Sequence, residues 1–111
     1  MKIWETFTNQ QQWKDYLQNL IRTNDRALIR SIYVIYGRQT DGEKMHGITT
    51  EHNGMGFGKI DAEFFTELVV KMKHGGTLTD RQMAIARNKM PKYWRQLMEV
   101  SKENMKKEPQ Q

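Results

Sequence analysis

Residues that can bind a polyanion are concentrated in the last third of this 111-residue chain. They are Arg81, Arg87, Lys89, Lys92, Tyr93 and Arg95, with Trp94 among them. Cationic side chains bind phosphates, and aromatic rings stack on unpaired bases. The pattern therefore predicts a nucleic-acid-binding surface. The alternative is that Tyr93 and Trp94 are core residues, since both are spaced from Leu97 as on one helix face, and that the cations only solvate the outside.

The charge of the chain is divided unevenly. Residues 71–107 carry ten Lys/Arg against three Asp/Glu, a net of +7, whereas residues 1–70 carry eight against nine, a net of −1. Glu108 brings the total to +5. This asymmetry favours a second half that faces a polyanion, and it is equally compatible with an ordinary solvated basic surface.

The segment between the two halves is rich in glycine, with Gly54, Gly56 and Gly58 at alternate positions. Glycines tolerate backbone angles that other residues avoid. We therefore interpret Asn53, Gly54, Gly56 and Phe57 as parts of a shaped loop, in which the aromatic ring is the anchor.

Neither a cofactor nor a metal ion is expected. Lys59 is followed by Ile60, whereas a phosphate-binding Walker loop continues with Ser or Thr after its lysine. His46, His52 and His74 lack the spacing of a helical metal pair, and the chain has no cysteine. Because no arrangement of a nucleophile and a base stands out either, we expect a protein that is not an enzyme.

Hydrophobic periodicity predicts helices on both sides of the loop. The first is capped by Thr8 or Asn9, and its apolar face is formed by Trp13, Tyr16, Leu17, Leu20 and Ile21. The second runs from Asp25 to Tyr36 and ends at Gly37. A strand over residues 31–36 is the competing interpretation, because β-branched and aromatic residues are frequent there.

Three further predictions concern the second half. Asp61 caps the third helix, and Thr79 with Gln82 forms a capping box for the fourth. Pro91 either kinks that helix or begins another, which continues to about Met105.

Together these patterns predict an all-α fold, a single compact domain of four to five helices spanning 1–107, with helix 25–36 central and a glycine-rich central loop at 38–59. Residues 108–111 are expected to be a disordered polar tail. The chain starts without a signal-peptide pattern and has no apolar run of about 20 residues, so we expect a cytoplasmic protein that does not interact with membranes.

Several segments between residues 20 and 100 carry a resemblance. They are TNDRAL at 23–28, IYGRQT at 35–40, NGMGF at 53–57 with Asp61-Ala62, LTDRQ at 78–82, ARNKM at 86–90 and KYWRQL at 92–97. Spaced in this way, they resemble small helical proteins of phages and mobile elements, and a segment that accompanies helicase and recombination proteins. Pro91 departs from this pattern. The resemblance implies a role in replication or recombination, or in countering a host defence.

The function expected on these grounds is that of a non-catalytic nucleic-acid-binding accessory protein of phage or mobile-element replication and recombination, with DNA favoured over RNA. The alternative is a phage protein-interaction module that inhibits a host defence or nucleic-acid enzyme.

Lys89, Lys92 and Arg95 follow one another at intervals of three, so we expect them on one exposed flank. Replacing all three with Gln is then expected to leave the melting temperature almost unchanged.

Overall fold

The computed structural model of the protein describes residues 7–46 and 56–107, and every regular element in these ranges is helical. The elements are α1 (Gln10–Thr23), α2 (Asp25–His46), α3 (Lys59–Lys73), α4 (Asp80–Lys89), a 3-10 turn (Met90–Tyr93) and α5 (Trp94–Lys107). The predicted all-α class is confirmed. The assignment of residues 1–107 to one domain stays a prediction, and the predicted tail at 108–111 lies outside the described residues.

Helix α1 begins as its sequence predicts. The Asn9 side chain accepts a hydrogen bond from the Gln12 amide at 3.0 Å, and the Gln12 side chain accepts one from the Asn9 amide at 3.3 Å. This reciprocal pair satisfies amide groups that have no partner inside the helix. Its buried face consists of Trp13, Leu17 and Ile21.

Helix α2 is central, because it packs against α1, α3, α5 and the 3-10 turn. Leu28, Ile32 and Ile35 are fully buried. The prediction that this helix ends at Gly37 is wrong, since it continues to His46. A glycine inside a helix costs only about 1 kcal/mol relative to alanine, and the following turn is held by tertiary contacts of Arg38 and by the burial of Gln39.

The longer α2 shortens the predicted 38–59 connection. Residues 38–46 are helical, and residues 47–55, which include Asn53 and Gly54, lie outside the described residues. At the far end of the connection, Phe57 is buried and stacks on Phe65 with ring centroids 4.4 Å apart. It also meets the edge of the Tyr93 ring at 5.4 Å. Phe57 is therefore a core residue at the entry to α3, whereas the shaped loop around it stays a prediction.

Helix α3 starts three residues earlier than a cap at Asp61 predicts, at Lys59 after Gly58. The prediction that Asp61 caps this helix is consequently wrong, because Asp61 lies inside the first turn and is buried there together with Phe65 and Leu68.

The fourth predicted helix is divided in two. Its start is the expected capping box of Thr79 and Gln82. The 3-10 turn that contains Pro91 then separates α4 from α5. Proline has no amide hydrogen and cannot continue the α-helical hydrogen-bond ladder. The chain nevertheless stays helical on both sides, and Leu97 and Met98 of α5 reach the core.

Two glycines with almost the same backbone angle allow a matched test of packing near α2. Gly56 has φ 90° and Gly75 has φ 86°. A Cβ atom at Gly56 would lie 2.6 Å from Cβ and 2.7 Å from Cα of Gln39, whereas one at Gly75 would meet nothing within 4 Å. We expect Gly75→Ala to cost about 1 kcal/mol of unfolding free energy for the backbone angle alone, and Gly56→Ala to cost about 1 to 3 kcal/mol more. Urea denaturation of both variants measures this difference. Equal losses would show that segment 56–58 does not pack closely on α2.

Candidate functional site

The most distinctive polar group of the structure is the Asp61 carboxylate, which is only 2% exposed. Its Oδ2 atom accepts a hydrogen bond from the Tyr93 hydroxyl at 2.7 Å and forms an ion pair with Lys92 Nζ at 2.6 Å. Its Oδ1 atom accepts from Lys89 Nζ at 3.0 Å. One negative charge thus faces two positive charges, so the cluster carries a surplus of one positive charge.

The 3-10 turn explains why both lysines reach the same carboxylate. In this geometry side chains three residues apart eclipse one another, whereas in an α-helix they diverge by about 60°. Lys89 enters the turn and Lys92 is within it. Their side chains therefore project toward the first turn of α3, where Asp61 lies.

Hydrogen bonds on both sides of Phe57 fasten the segment that leads into α3. The Gly58 amide donates to the Tyr93 hydroxyl at 2.9 Å, so this hydroxyl both accepts from Gly58 and donates to Asp61. The Gln96 side chain accepts from the Gly56 amide at 2.8 Å and donates to the Gly56 carbonyl at 2.9 Å. Residues 56–58 are thereby fixed to the 3-10 turn and α5.

Electrostatics keep the cluster in one protonation state at neutral pH. Burial raises the pKa of Asp61, but the hydrogen bonds from Lys92, Tyr93 and Lys89 outweigh burial and hold that pKa below its ordinary value. Burial, together with the neighbouring Asp61 charge, raises the pKa of Tyr93. Asp61 is therefore ionised and Tyr93 neutral, and what the cluster offers to a ligand is the positive charge of its lysines.

Arg87 has a different environment from the lysines. Its guanidinium donates to the carbonyls of Ile21 at 3.2 Å and Arg22 at 2.9 Å, and it forms an ion pair with Asp25. These contacts tie the end of α1 and the start of α2 to α4. Among the predicted site residues, Arg87 therefore lies in a separate contact cluster.

Arg81 and Arg95 are exposed, as Lys92 is, but neither contacts Asp61. Arg95 lies over the Trp94 ring, 5.4 Å from its centroid. Arg81 is in the first turn of α4 and has no hydrogen bond or ion pair within the described ranges. The predicted set is thus divided between the Asp61 cluster, which holds Lys89, Lys92 and Tyr93, and three separate arginines.

This arrangement corrects one expectation from the sequence. Lys89 and Lys92 are not unattached members of an exposed flank, because both are ion-paired with a buried carboxylate. Removing them would leave that charge without its cations, which destabilises a fold strongly. Replacing Lys89, Lys92 and Arg95 together is therefore expected to lower the melting temperature.

Two exposed residues next to Asp61 in the chain were not among the residues predicted for the site. Lys59 and Ile60 begin α3 directly before Asp61, and both are exposed, Ile60 to 91%. A sequence signal for the burial of Asp61 did exist, since it lies four residues before Phe65 on the apolar stripe. No local signal marks Gln96, whose partner Gly56 is 40 residues away.

No group of three or more His, Cys, Asp or Glu side chains within the described residues is arranged to hold a metal ion. None of the described helices is both long and apolar enough to cross a membrane. Comparison of the chain with protein-family models, curated proteins and solved structures gave no match.

The ion pairs of Asp61 predict an acid-dependent loss of stability. Because its pKa is lower in the folded chain than in the unfolded chain, the contribution is fully present above the ordinary value of 3.8 and is lost as the pH falls through the folded pKa. Asp61→Asn is expected to lower the unfolding free energy at neutral pH by about 2 to 4 kcal/mol. It should also flatten the pH dependence below about pH 4, as followed by denaturation at several pH values.

Glu63→Gln is the matched control for this substitution, since it makes the same charge change at an exposed position two residues along the same helix. We expect it to change stability at neutral pH by no more than about 0.5 kcal/mol. Equal effects of the two substitutions would contradict the central role of the buried carboxylate.

The Tyr93 hydroxyl can be tested separately from its ring. Tyr93→Phe keeps the aromatic packing but leaves the Gly58 amide without its acceptor and removes one donor from Asp61. The expected loss of unfolding free energy is about 1 to 3 kcal/mol. Tyr33→Phe, at a 36% exposed position, should cost no more than about 0.5 kcal/mol in the same denaturation assay. A neutral Tyr93→Phe would show that the hydroxyl does not fasten segment 56–58.

Proposed function

We propose that this protein is a nucleic-acid-binding accessory protein without a reaction of its own. The observation that carries the proposal is the cationic rim, which we define as Lys59, Lys89, Lys92 and Arg95. Lys89 and Lys92 are ion-paired with the buried carboxylate of Asp61, and Lys59 and Arg95 are exposed positions close to this cluster in the chain. Exposed cations of this kind bind phosphates by releasing counterions, largely independently of sequence.

Two exposed members of the rim, Lys59 and Arg95, belong to different helices. Lys59 starts α3, immediately after the Gly58 amide that bonds to Tyr93, whereas Arg95 follows the same tyrosine in α5. A polymer that binds both cations would therefore contact two different helices, each beside a residue of the Asp61 cluster in the chain. The Arg95–Trp94 pair adds a partly buried indole and a planar guanidinium, both of which can support a base.

The biological context of the proposal comes from the resemblance. Small helical phage and mobile-element proteins, and segments that accompany helicases and recombination proteins, suggest a role in replication or recombination in the cytoplasm. In that context DNA is the more plausible polymer than RNA.

A second candidate function is a protein-interaction module that inhibits a host defence or nucleic-acid enzyme. The observation that favours it is the outer face of α3, where Ile60 is 91% and Val70 44% exposed. Glu63 and Glu67 lie between them on the same face of the helix, at intervals of three or four residues. An apolar pair with an acidic centre suits a protein surface better than a phosphate backbone.

The two candidates are separated by a binding measurement with paired variants. Fluorescence anisotropy with a labelled single-stranded oligonucleotide should show binding at about 50 mM salt that weakens steeply as salt rises. Lys59→Gln/Arg95→Gln should flatten the log–log salt dependence by about 1.4, from about 0.7 per lost phosphate contact. Melting should change little, because both side chains are exposed.

Arg26→Gln/Arg30→Gln is the control for net charge, since it removes two exposed cations from α2. This control should keep most of the salt dependence. If the wild-type protein binds neither single- nor double-stranded DNA or RNA at low salt, the nucleic-acid proposal is wrong. An effect of Ile60→Ser/Val70→Ser on a purified partner would then support the second candidate.

A further inference from the structure

We propose that Asp61 is an internal competitor of the bound polyanion, which limits the affinity of the surface that it helps to build. This inference rests on the proposed function and concerns the regulation of the same site. The Asp61 carboxylate contacts the Lys92 ammonium group from the buried side, and a phosphate would contact the same group from the solvent side. Binding of the polymer and bonding to Asp61 therefore draw on the same ammonium group.

The side-chain exposure of the two lysines indicates for which of them a phosphate competes with Asp61. The Lys92 side chain is 59% exposed and the Lys89 side chain 32%, whereas Asp61 is 2% exposed. A phosphate therefore has readier access to Lys92. If Lys92 turns outward, Asp61 keeps Lys89 at 3.0 Å and the Tyr93 hydroxyl at 2.7 Å, so the buried charge retains two partners.

The same geometry gives a reason why Lys92 binds more weakly than an uncommitted cation. Its ammonium group lies 2.6 Å from Asp61 Oδ2, and a phosphate that approaches it also approaches this negative charge. An ammonium group has three donors, of which the carboxylate engages at least one. Lys59, which is exposed at the start of α3 and outside the ion pairs of Asp61, has no such competitor among the described residues.

The first test compares Asp61→Asn with Glu63→Gln, which both add one positive charge to α3. Binding to a labelled single-stranded oligonucleotide is measured at a temperature at which circular dichroism shows both variants folded. Asp61→Asn should bind at least about threefold more tightly than Glu63→Gln, with a salt dependence steeper by about 0.7, although it is the less stable protein. An affinity equal to or below that of Glu63→Gln overturns the inference.

The second test leaves Asp61 in place, so it decides the matter even if Asp61→Asn does not fold. Lys92→Gln and Lys59→Gln each remove one charge from the cationic rim. Because Lys92 is committed to Asp61, its removal should weaken binding at least about twofold less than removal of Lys59. A loss at Lys92 that equals or exceeds the loss at Lys59 overturns the inference.

The two proposals fail in distinguishable ways. If the wild-type protein binds no nucleic acid at about 50 mM salt, the proposed function fails and the competitor role falls with it. If the wild-type protein binds but either pair of folded variants lacks the expected order, the proposed function stands and Asp61 is only a structural charge.

Discussion

The constraint on which the arrangement depends is the cost of placing an ionised carboxylate inside a helical protein. A buried charge is tolerated only when cations and hydrogen-bond donors replace its water. Asp61 obtains them from one short stretch of chain, Lys89 to Tyr93. That requirement in turn fixes the Tyr93 hydroxyl, which holds the Gly58 amide and so keeps Phe57 in the core. The entry of the chain into α3 and the junction of α4 with α5 are therefore set by one side chain.

The folding contacts of Asp61 and the proposed binding surface therefore share residues. The ammonium groups of Lys89 and Lys92 are ion-paired with the buried carboxylate. The exposed part of each side chain contributes to the cationic rim. A surface made only of exposed cations can lose any one of them with little effect on folding. Here removal of both central cations is expected to disturb the core, because it leaves Asp61 without a cation. Measurements of affinity and of stability on the same variants are for that reason informative only as pairs.

Structural features that depend on residues close together in the chain were predicted best from the sequence. The capping box of Thr79 and Gln82 was predicted correctly, and of the two caps proposed for α1, Thr8 or Asn9, the structure has Asn9. Both caps join residues three apart. The end of α2 was not predicted correctly, because the local preference of Gly37 is smaller than the contacts that Arg38 and Gln39 make with residues far along the chain. The cluster around Asp61 joins residues 28 to 32 positions apart, and no periodicity reports such a pairing.

The segments that carry the resemblance contain many of the residues that hold the start of α3 in place. Gly56, Phe57, Asp61, Lys89 and Gln96 all belong to them, and each makes a contact that fastens the start of α3. Their residue types therefore have a reason in folding that is independent of any ligand. These segments therefore indicate how the helices are arranged more directly than what the protein binds. Binding measurements on the variants test the function itself.

The 3-10 turn at Pro91 also fixes the rotational phase between two helices. Four residues at three per turn rotate the chain about 80° further than four α-helical residues do. If residues 90–93 relaxed to an uninterrupted α-helix, α5 would turn relative to α4 by that angle. Lys89 could then keep its contact with Asp61, or Gln96 its contact with Gly56, but not both. Insertions and deletions of single residues within Met90–Tyr93 should consequently be tolerated far less well than substitutions there.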